Sequence, residues 1–246
     1  QRPDLRVIIA SASIELEKFQ KYLHPCETIQ IHGRQYPIAT RYEPGPSSKN
    51  GQIRQIKDKI LNLLRLKKKM LEDSNRMYKR NPDLDIDTDV LKGHMLVFLS
   101  SPGDIDQLGD ALVRESQKFP REAIHPFLIL KYHGKMAPEK YAKIFEKTRP
   151  EHTTKIILAT NIAETSLTFP GLSIVIDTGL DCEPYYNPVR GFQEIRVRPI
   201  SKSSAIQRAG RAGRTCPGIC YRLYSKETFD MMASSRMPEV LRCSID

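Results

Sequence analysis

The sequence lacks the features that mark membrane and secreted proteins. Its 246 residues contain no apolar run of about eighteen residues, the length that indicates a membrane-spanning helix. The first residues, QRPDLRVIIASAS, do not show the charged, apolar and small-residue succession of a signal peptide. We therefore expect a soluble intracellular protein, in the nucleus or the cytoplasm, with no membrane partner.

Cysteine is scarce. The five cysteines are an odd number and are scattered along the chain, which argues against a disulfide framework and for a reducing compartment. Cys216 and Cys220 are the only close pair, and no second pair follows at the spacing of a zinc finger. We therefore expect core thiols at these positions and no metal site.

Two motifs of nucleotide hydrolases are missing. No G-x-x-x-x-G-K-[ST] phosphate loop occurs, and the nearest stretch, GPSSKNG at 45–51, lacks the strand and helix that must flank one. The sequence D-E-x-H is also absent. These absences exclude a free-standing nucleotide hydrolase, because the chain alone has no usual means to hold Mg-ATP or to position the attacking water.

The composition is that of a basic globular protein. A hydrophobic content of 39% over 246 residues suffices for the core of one sizeable domain. Lysine and arginine outnumber aspartate and glutamate by 39 to 29, which gives a net charge of +10 and favours a polyanionic partner. The basic run at 65–69 is interpreted as a solvated helix face.

Apolar runs that are typical of buried strands alternate with helical patterns along the chain. Strands are predicted at 5–10, 28–31, 38–42, 95–99, 127–132, 155–159 and 173–177. Helices are predicted at 14–23, 53–71, 104–117 and 138–146. Because parallel strands need crossover connections, the alternation predicts a three-layer α/β domain with a mostly parallel sheet.

Two segments depart from this alternation. Residues 67–93 have few apolar residues and carry their charges in blocks, which predicts a surface insertion. In residues 185–200, a turn that contains Pro188, Arg190 and Gly191 is followed by alternating residues at 193–197. This pattern predicts a β-hairpin that projects from the sheet.

Small polar residues follow three of the predicted strands. They are Ser11 and Ser13 after the first strand, Ser100 and Ser101 after the fourth, and Thr160, Asn161, Thr165, Ser166 and Thr168 after the sixth. The carboxyl ends of parallel strands form the edge where α/β sheets bind ligands, and hydroxyl groups suit phosphate oxygens. Helix capping by the same residues is the alternative, and it stays open for each loop taken singly.

The stretch QRAGRAGR is the strongest local signal. If Ser203 or Ser204 caps a helix, then Gln207, Arg211 and Arg214 lie on one helical face, at offsets of four and three residues. The two glycines would each destabilise a free helix by about 1 kcal/mol, which favours a close approach of backbone or ligand. The stretch has no acidic residue to pair with its arginines. They need an anion, and the γ-phosphate of a nucleotide held by a neighbouring domain is a natural one.

Longer motifs carry a family resemblance. ATNIAETSLT at 159–168, SKSSAIQRAGRAGR at 201–214 and PGICYRLY at 217–224 resemble the second RecA-like domain of the DEAH-box (DEAH/RHA) family of superfamily 2 ATP-dependent RNA helicases. SAS at 11–13 is similar to the SAT linker motif of that family, and LVFLSSPGDID at 96–106 resembles its LVFLTG-type motif. The resemblance covers nearly the whole chain except the predicted insertion, and it implies a RecA-like fold for a helicase C-terminal domain.

The resemblance implies which residues meet ATP. Gln207, Arg211 and Arg214 would contact the phosphates as the catalytic residues of this chain, with the two arginines as arginine fingers. Ser166 would sense the nucleotide state, and Phe145 would stack on adenine. For Phe145, a core-facing position in its helix is an equal alternative. The Mg²⁺ that accompanies ATP would be held mainly by the first RecA-like domain, outside this chain.

Other residues would meet RNA and the first RecA-like domain. Thr160 and Asn161, with help from Ser100, would hold the backbone of single-stranded RNA. Ser11 and Ser13 would couple the two RecA-like domains. The family has threonine where this chain has Ser13, and serine keeps the hydroxyl group.

The resemblance also implies how the protein is organised. Residues 1–13 would end the first RecA-like domain and include the linker, 14–229 would form the second RecA-like domain, and 230–246 would lead into a winged-helix domain. The expected partners are single-stranded RNA, the preceding and following domains of the same protein, and an activator protein.

The expected function is that of the C-terminal motor domain of a 3′ to 5′ ATP-dependent RNA helicase, inactive without its first RecA-like domain. A catalytically silent RNA-binding or scaffold module of the same fold is the alternative, and the intact Gln207, Arg211, Arg214 and Ser166 argue against it. A helicase that acts on DNA also stays open, because contacts to the backbone alone do not distinguish the sugars.

Overall fold

The computed structural model describes residues 5–10, 16–23, 25–31, 36–72, 80–81, 86–134, 136, 138–146, 148–164, 168–187 and 190–236. The chain divides into two compact units, Gln1–Arg34 and Gln35–Asp246. The domain boundaries expected at residues 13 and 229 stay predictions. Among the described residues, no helix combines the length and the apolar character that crossing a membrane requires.

The first unit contains helix α1 (Leu16–Tyr22), as its apolar spacing predicts. Residues 5–10 and 25–31 are exposed and form neither helix nor strand, so the strands predicted at 5–10 and 28–31 are absent. A strand needs a neighbour that pairs with its backbone groups, and no strand pairing occurs within the described part of this unit. Ser11 and Ser13 lie outside the described residues.

The second unit, over its described residues, contains ten strands. They are β1 (Ile38–Tyr42), β2 (Arg80–Asn81), β3 (Ile86–Asp87), β4 (His94–Phe98), β5 (Phe127–Tyr132), β6 (Thr154–Ala159), β7 (Leu172–Asp177), β8 (Leu180–Asn187), β9 (Phe192–Pro199) and β10 (Gly218–Arg222). The helices are α2 (Lys49–Glu72), α3 (Thr88–Leu91), α4 (Pro102–Ser116), α5 (Pro138–Phe145), α6 (Lys202–Ala209) and α7 (Lys226–Met231). Short 3-10 helices lie at Arg121–Ala123 and Asn161–Glu164.

Six strands form one sheet in the order β1-β10-β7-β4-β6-β5, and every neighbouring pair is parallel. The four inner strands are buried along their whole length. Strands that are covered on both faces have no solvent side, which explains why their sequences are continuous apolar runs without alternation. The predicted mostly parallel sheet is confirmed.

Helices pack on both faces of the sheet. Along the inner strands, alternate side chains join two separate core clusters, as the two-residue period of a strand requires. One cluster includes Ile60 of α2 and Leu108 of α4. The other includes Ile144 of α5 and Ala209 of α6. The three-layer α/β arrangement is therefore confirmed.

The structure corrects the limits of the predicted insertion at 67–93. Lys67 belongs to α2, which continues to residue 72, and its side chain is fully buried. Its Nζ donates hydrogen bonds to Lys92 O at 2.7 Å, to Gly93 O at 3.0 Å and to Thr154 Oγ1 at 2.7 Å. Helix α3, at the other end of the segment, also packs into the core. The basic run around Lys67 is therefore not simply a solvated helix face.

The predicted hairpin is present. Strands β8 and β9 pair antiparallel from Leu180 opposite Pro199 to Asn187 opposite Phe192. Gly191, next to the turn, has a φ of 67°, which glycine adopts without strain. The hairpin begins at Leu180, earlier than the sequence pattern predicts, and only a short turn separates it from the end of β7 at Asp177.

Candidate functional site

The carboxyl ends of the inner strands lie at one edge of the sheet. Strand β4 ends at Phe98 and leads to Ser100, β6 leads to Thr160, and β7 ends at Asp177. A hydrogen bond of 3.0 Å from Thr178 Oγ1 to Phe98 O ties two of these strand ends together. Open α/β sheets bind their ligands at this edge, so the residues after these strands form the candidate site.

Helix α6 carries the first part of the QRAGRAGR stretch. Its N-cap is Ser201, whose Oγ accepts a hydrogen bond of 3.2 Å from Ser204 N. The prediction of Ser203 or Ser204 as the cap is wrong, because Ser201 is the residue with the extended backbone that an N-cap adopts. The helix ends at Ala209 and Gly210 is its C-cap, since glycine disfavours helix continuation.

Because the helix ends there, the predicted helical face does not form. Gln207 is half-buried in α6, whereas Arg211 and Arg214 follow the helix in a turn. We call residues 210–214 the arginine turn. The two arginines are therefore positioned by the turn and its contacts, and not by helical periodicity.

The arginine turn packs closely against Tyr36 and Ile38, at the start of strand β1. Tyr36 N donates a hydrogen bond of 3.0 Å to Gly213 O. A Cβ atom added to Gly213 would lie 2.8 Å from Tyr36 O, which is too close for a side chain. The close approach of backbone expected at a glycine of this stretch is therefore observed at Gly213.

Both arginines of the turn contact the segment that follows β6. Nη2 of Arg211 donates a hydrogen bond to the main-chain oxygen of Glu164, and Nη1 of Arg214 donates one of 2.9 Å to Thr168 Oγ1. Arg211 is 6% exposed, whereas Arg214 is exposed. Burial lowers the pKa of Arg211 to about 10, and the positive charge of Arg214 adds to the shift. A bound anion would relieve this repulsion.

Arg208 belongs to the site although the sequence pattern does not single it out. Its side chain is 0% exposed. It donates from Nε to Glu164 Oε1 at 2.7 Å, and from Nη1 to Asp177 Oδ1 at 2.9 Å and Leu180 O at 3.1 Å. Burial opposes the charge, but the two carboxylates outweigh it and raise the pKa of Arg208. The only feature of the sequence that could have indicated Arg208 is Glu164, the acidic residue within ATNIAETSLT, because an arginine can form an ion pair with it.

Asp177 holds the end of β7 in place. Its buried carboxylate accepts hydrogen bonds from Gly179 N at 2.9 Å and from the Tyr224 hydroxyl at 3.0 Å, besides that from Arg208. Gly179 has a φ of 72°, and a Cβ there would lie 2.5 Å from Tyr224 Cδ1. The turn between β7 and the hairpin therefore depends on glycine and is fixed by the aspartate.

Thr160 and Asn161 are half-buried at the end of β6. Thr160 N donates a hydrogen bond of 3.2 Å to Tyr132 O. Asn161 Nδ2 donates one of 3.0 Å to Asp181 Oδ2. The segment predicted to hold RNA is therefore tied to the first residues of the hairpin.

Ser100 lies beside an ion pair. Its Oγ donates a hydrogen bond to the Asp104 carboxylate, which also pairs with the exposed Lys49. Burial raises the pKa of Asp104, but hydrogen bonds that involve Lys49, Ser100 and Ser101 outweigh it, and the net shift is downward. Lys49 and Asp104 thus form an ion pair at the same edge of the sheet.

Phe145 packs against the protein. Its ring is stacked on that of Phe169, with centroids 5.7 Å apart and an interplanar angle of 6°. Phe145 is half-buried and packs against the core cluster that includes Ile144. This is a core-facing position, which is the alternative to stacking on adenine. Ser166 lies outside the described residues.

The cysteine pair of the sequence shows no metal geometry. Cys216 and Cys220 are free thiols, and burial in β10 raises the pKa of Cys220. In the part of the chain that the structure describes, no three His, Cys, Asp or Glu side chains are grouped so as to hold a metal ion.

A parallel sheet covered on both faces, with an arginine turn and polar loops at its carboxyl edge, defines a RecA-like α/β domain. A model of the helicase conserved C-terminal domain matches residues 88–216, and the chain belongs to this family. Within this family, the chain is of the type found in DEAH-box RNA helicases, because RNA helicases match it over nearly its whole length.

Curated relatives match nearly the whole chain. ATP-dependent RNA helicase DEAH11, chloroplastic, of Arabidopsis thaliana is 35% identical over 242 residues, which are 98% of this chain and 12% of the relative. Probable ATP-dependent RNA helicase DHX34 of Mus musculus is 34% identical over 246 residues, 100% of this chain and 20% of the relative. Pre-mRNA-splicing factor ATP-dependent RNA helicase prp22 of Schizosaccharomyces pombe is 33% identical over 243 residues, 98% and 18% respectively.

A solved structure has the same fold. The crystal structure of the E. coli DExH-box NTPase HrpB superposes with a TM-score of 0.73 at 26% identity, over 98% of this chain and 26% of that one. The chain therefore spans 12–20% of the three curated relatives and about a quarter of the solved chain.

Proposed function

We propose that this domain is the second motor half of an ATP-dependent RNA helicase that moves 3′ to 5′ along RNA. All three curated relatives carry the words ATP-dependent RNA helicase in their names. Because the chain spans only 12–20% of those relatives, the proposed activity belongs to a larger protein that contains it.

The observation that carries the proposal is the arginine pair at the carboxyl edge of the sheet. Arg211 is largely desolvated, and the charge of Arg214 contributes to its lowered pKa. Two guanidinium groups held near each other at a ligand-binding edge are stabilised by a polyanion. The phosphates of ATP, presented by another domain, meet this requirement, and Gln207 in the preceding helix is proposed as the third contact.

The role of these residues in hydrolysis follows from where charge develops. As the γ-phosphoryl group is transferred, negative charge spreads over its oxygens, and an arginine finger typically contributes about 10³ to 10⁵ in rate. Arg214 is exposed and donates to Thr168, whereas Arg211 is buried and donates to Glu164. Ser166 is proposed to report the nucleotide state, and the Mg²⁺ ligands are assigned mainly to the preceding RecA-like domain.

Thr160, Asn161 and Ser100 are proposed to hold the backbone of single-stranded RNA. All three follow inner strands at the same edge of the sheet, and Ser100 lies beside the ion pair of Lys49 and Asp104. Contacts to phosphate carry no sequence information and are weakened by salt. Binding should therefore be nearly independent of RNA sequence and sensitive to ionic strength.

The proposal is tested by hydrolysis of ATP by the full-length protein, with and without single-stranded RNA. We expect Arg214→Ala and Arg211→Ala each to lower the RNA-stimulated rate by about 10³-fold or more. Arg54→Ala is the matched control, because Arg54 is an exposed arginine on α2 with only a 3.8 Å surface contact to Asp58. Wild-type rates in Arg214→Ala would overturn the proposed function.

A further inference from the structure

Arg208 joins three separate elements inside the domain. Its guanidinium group, carried by α6, reaches Glu164 at the end of the Asn161–Glu164 3-10 helix. The same group reaches Asp177 at the end of β7 and the main-chain oxygen of Leu180 at the start of β8. One side chain therefore fixes the relative positions of the helix, the loop after β6 and the base of the hairpin.

Glu164 is held twice by the arginines of the QRAGRAGR stretch. Arg208 binds its carboxylate at 2.7 Å, and Arg211 donates to its main-chain oxygen. Glu164 ends the short segment that begins with Thr160 and Asn161. A shift of that segment therefore moves an acceptor of Arg211, and a shift of Arg211 is transmitted back to the segment.

Stability alone is a poor explanation for an arginine at this position. Burying an ion pair costs desolvation energy, and apolar replacements of similar volume are often as stable or more so. Nη2 of Arg208 has no hydrogen-bond partner among the described atoms, which adds to the cost. What arginine offers is a rigid planar fork whose N–H groups point in fixed directions. Arg208 is therefore better explained by how it positions its neighbours than by a gain in stability.

We propose that Arg208 and Glu164 form a positioning pair that couples the RNA-holding segment 160–164 to the phosphate-facing Arg211. This inference rests on the proposed function, because it assigns RNA to one end of the pair and ATP to the other. Arg208 touches neither ligand and acts through Glu164. Its effect is therefore on how strongly RNA stimulates hydrolysis.

The test compares Glu164→Ala with the matched Glu164→Gln in the full-length protein. Glu164→Ala removes the acceptor of Arg208 Nε but leaves Asp177 and Leu180 in place, so the arginine stays paired. Glu164→Gln keeps an oxygen acceptor in the same position. We expect Glu164→Ala to lower the RNA-stimulated kcat about tenfold or more, since small misplacements of catalytic groups have effects of that size. Glu164→Gln should retain most of the stimulation.

Two further readouts distinguish positioning from a general loss of structure. Glu164→Ala should lower the RNA-stimulated kcat by a larger factor than it lowers the rate without RNA, and the KM for ATP should change by less than about twofold. All rates are compared at a temperature at which circular dichroism shows each variant to be folded. Full RNA stimulation in Glu164→Ala overturns the inference, and so does an equal loss of stimulation in Glu164→Ala and Glu164→Gln.

The failure of this inference is distinguishable from that of the proposed function. Wild-type hydrolysis in Arg214→Ala contradicts the proposed function, whatever the Glu164 variants do. Loss of hydrolysis in Arg214→Ala, together with full RNA stimulation in Glu164→Ala, contradicts the positioning pair alone.

Discussion

The amino group of Lys67 lies 2.7 Å from Oγ1 of Thr154, which joins helix α2 to the first residue of strand β6. The same amino group donates to the main-chain oxygens of Lys92 and Gly93, just before β4 begins. Lys67 thus connects α2 to the amino-terminal ends of β4 and β6. These ends lie opposite the candidate site, which is at the carboxyl ends of the strands. Burial lowers its pKa to about 7, against a smaller opposite effect of Glu151.

The pKa of Lys67 predicts a pH dependence of stability. Between about pH 7 and the ordinary value of 10.5, the unfolded lysine is protonated, whereas the folded one is neutral and donates two hydrogen bonds in place of three. The unfolded state then binds more protons, so the free energy of unfolding rises with pH in this window and loses that gain as the pH falls towards 7. We expect calorimetry of the chain to show a Tm that rises with pH in wild type relative to Lys67→Met. Equal pH slopes in the two proteins would contradict the prediction.

The isolated chain should hydrolyse ATP negligibly. It carries the proposed arginine fingers but neither a phosphate loop nor D-E-x-H, so nothing in it is expected to hold Mg-ATP or to orient water. Phosphate release measured with and without RNA checks this expectation. RNA-stimulated hydrolysis by the chain, abolished by Arg211→Ala, would show the prediction to be wrong.

Shortening the β8–β9 hairpin should impair unwinding more than ATP turnover in the full-length protein. We expect the hairpin to act as a wedge near the path of the strand, as the resemblance to the family implies. Its one face exposes Ile195 by 77% and Val197 by 54%, and its other face carries the 2.7 Å pair of Arg196 and Glu194. Strand separation and ATP hydrolysis are measured side by side after the tip is replaced by a tight turn. Equal losses of both activities would count against a wedge role.

Phe145→Ala should destabilise the chain by about 2 kcal/mol, because the half-buried ring loses its packing against Phe169. Phe145→Leu keeps most of the apolar volume and should lose less. Chemical denaturation measures both changes. In the full-length protein, a KM for ATP that is higher than that of wild type in both Phe145→Leu and Phe145→Ala would show that the aromatic ring also meets the adenine base.

Local patterns were enough to predict the central architecture. The apolar runs MLVFL and KIILA coincide with the buried strands β4 and β6, because a strand covered on both faces is apolar at nearly every position. The hairpin was also predictable, since turn residues precede an alternating segment. The run LRVIIA has the same apolar character, yet it forms no strand here. A strand depends on a pairing partner as well as on its own residues.

The sequence by itself determined the parallel sheet, the hairpin, the family resemblance and the presence of an acid-free arginine cluster, because these follow from residue type and local spacing. Only the tertiary structure decided that Arg208 and Arg211 are buried and that Arg214 is exposed. Arg208 is buried because Glu164, 44 residues earlier, and Asp177, 31 residues earlier, converge on it. Local spacing does not encode such convergence, since it arises when the sheet brings distant strand ends to one edge.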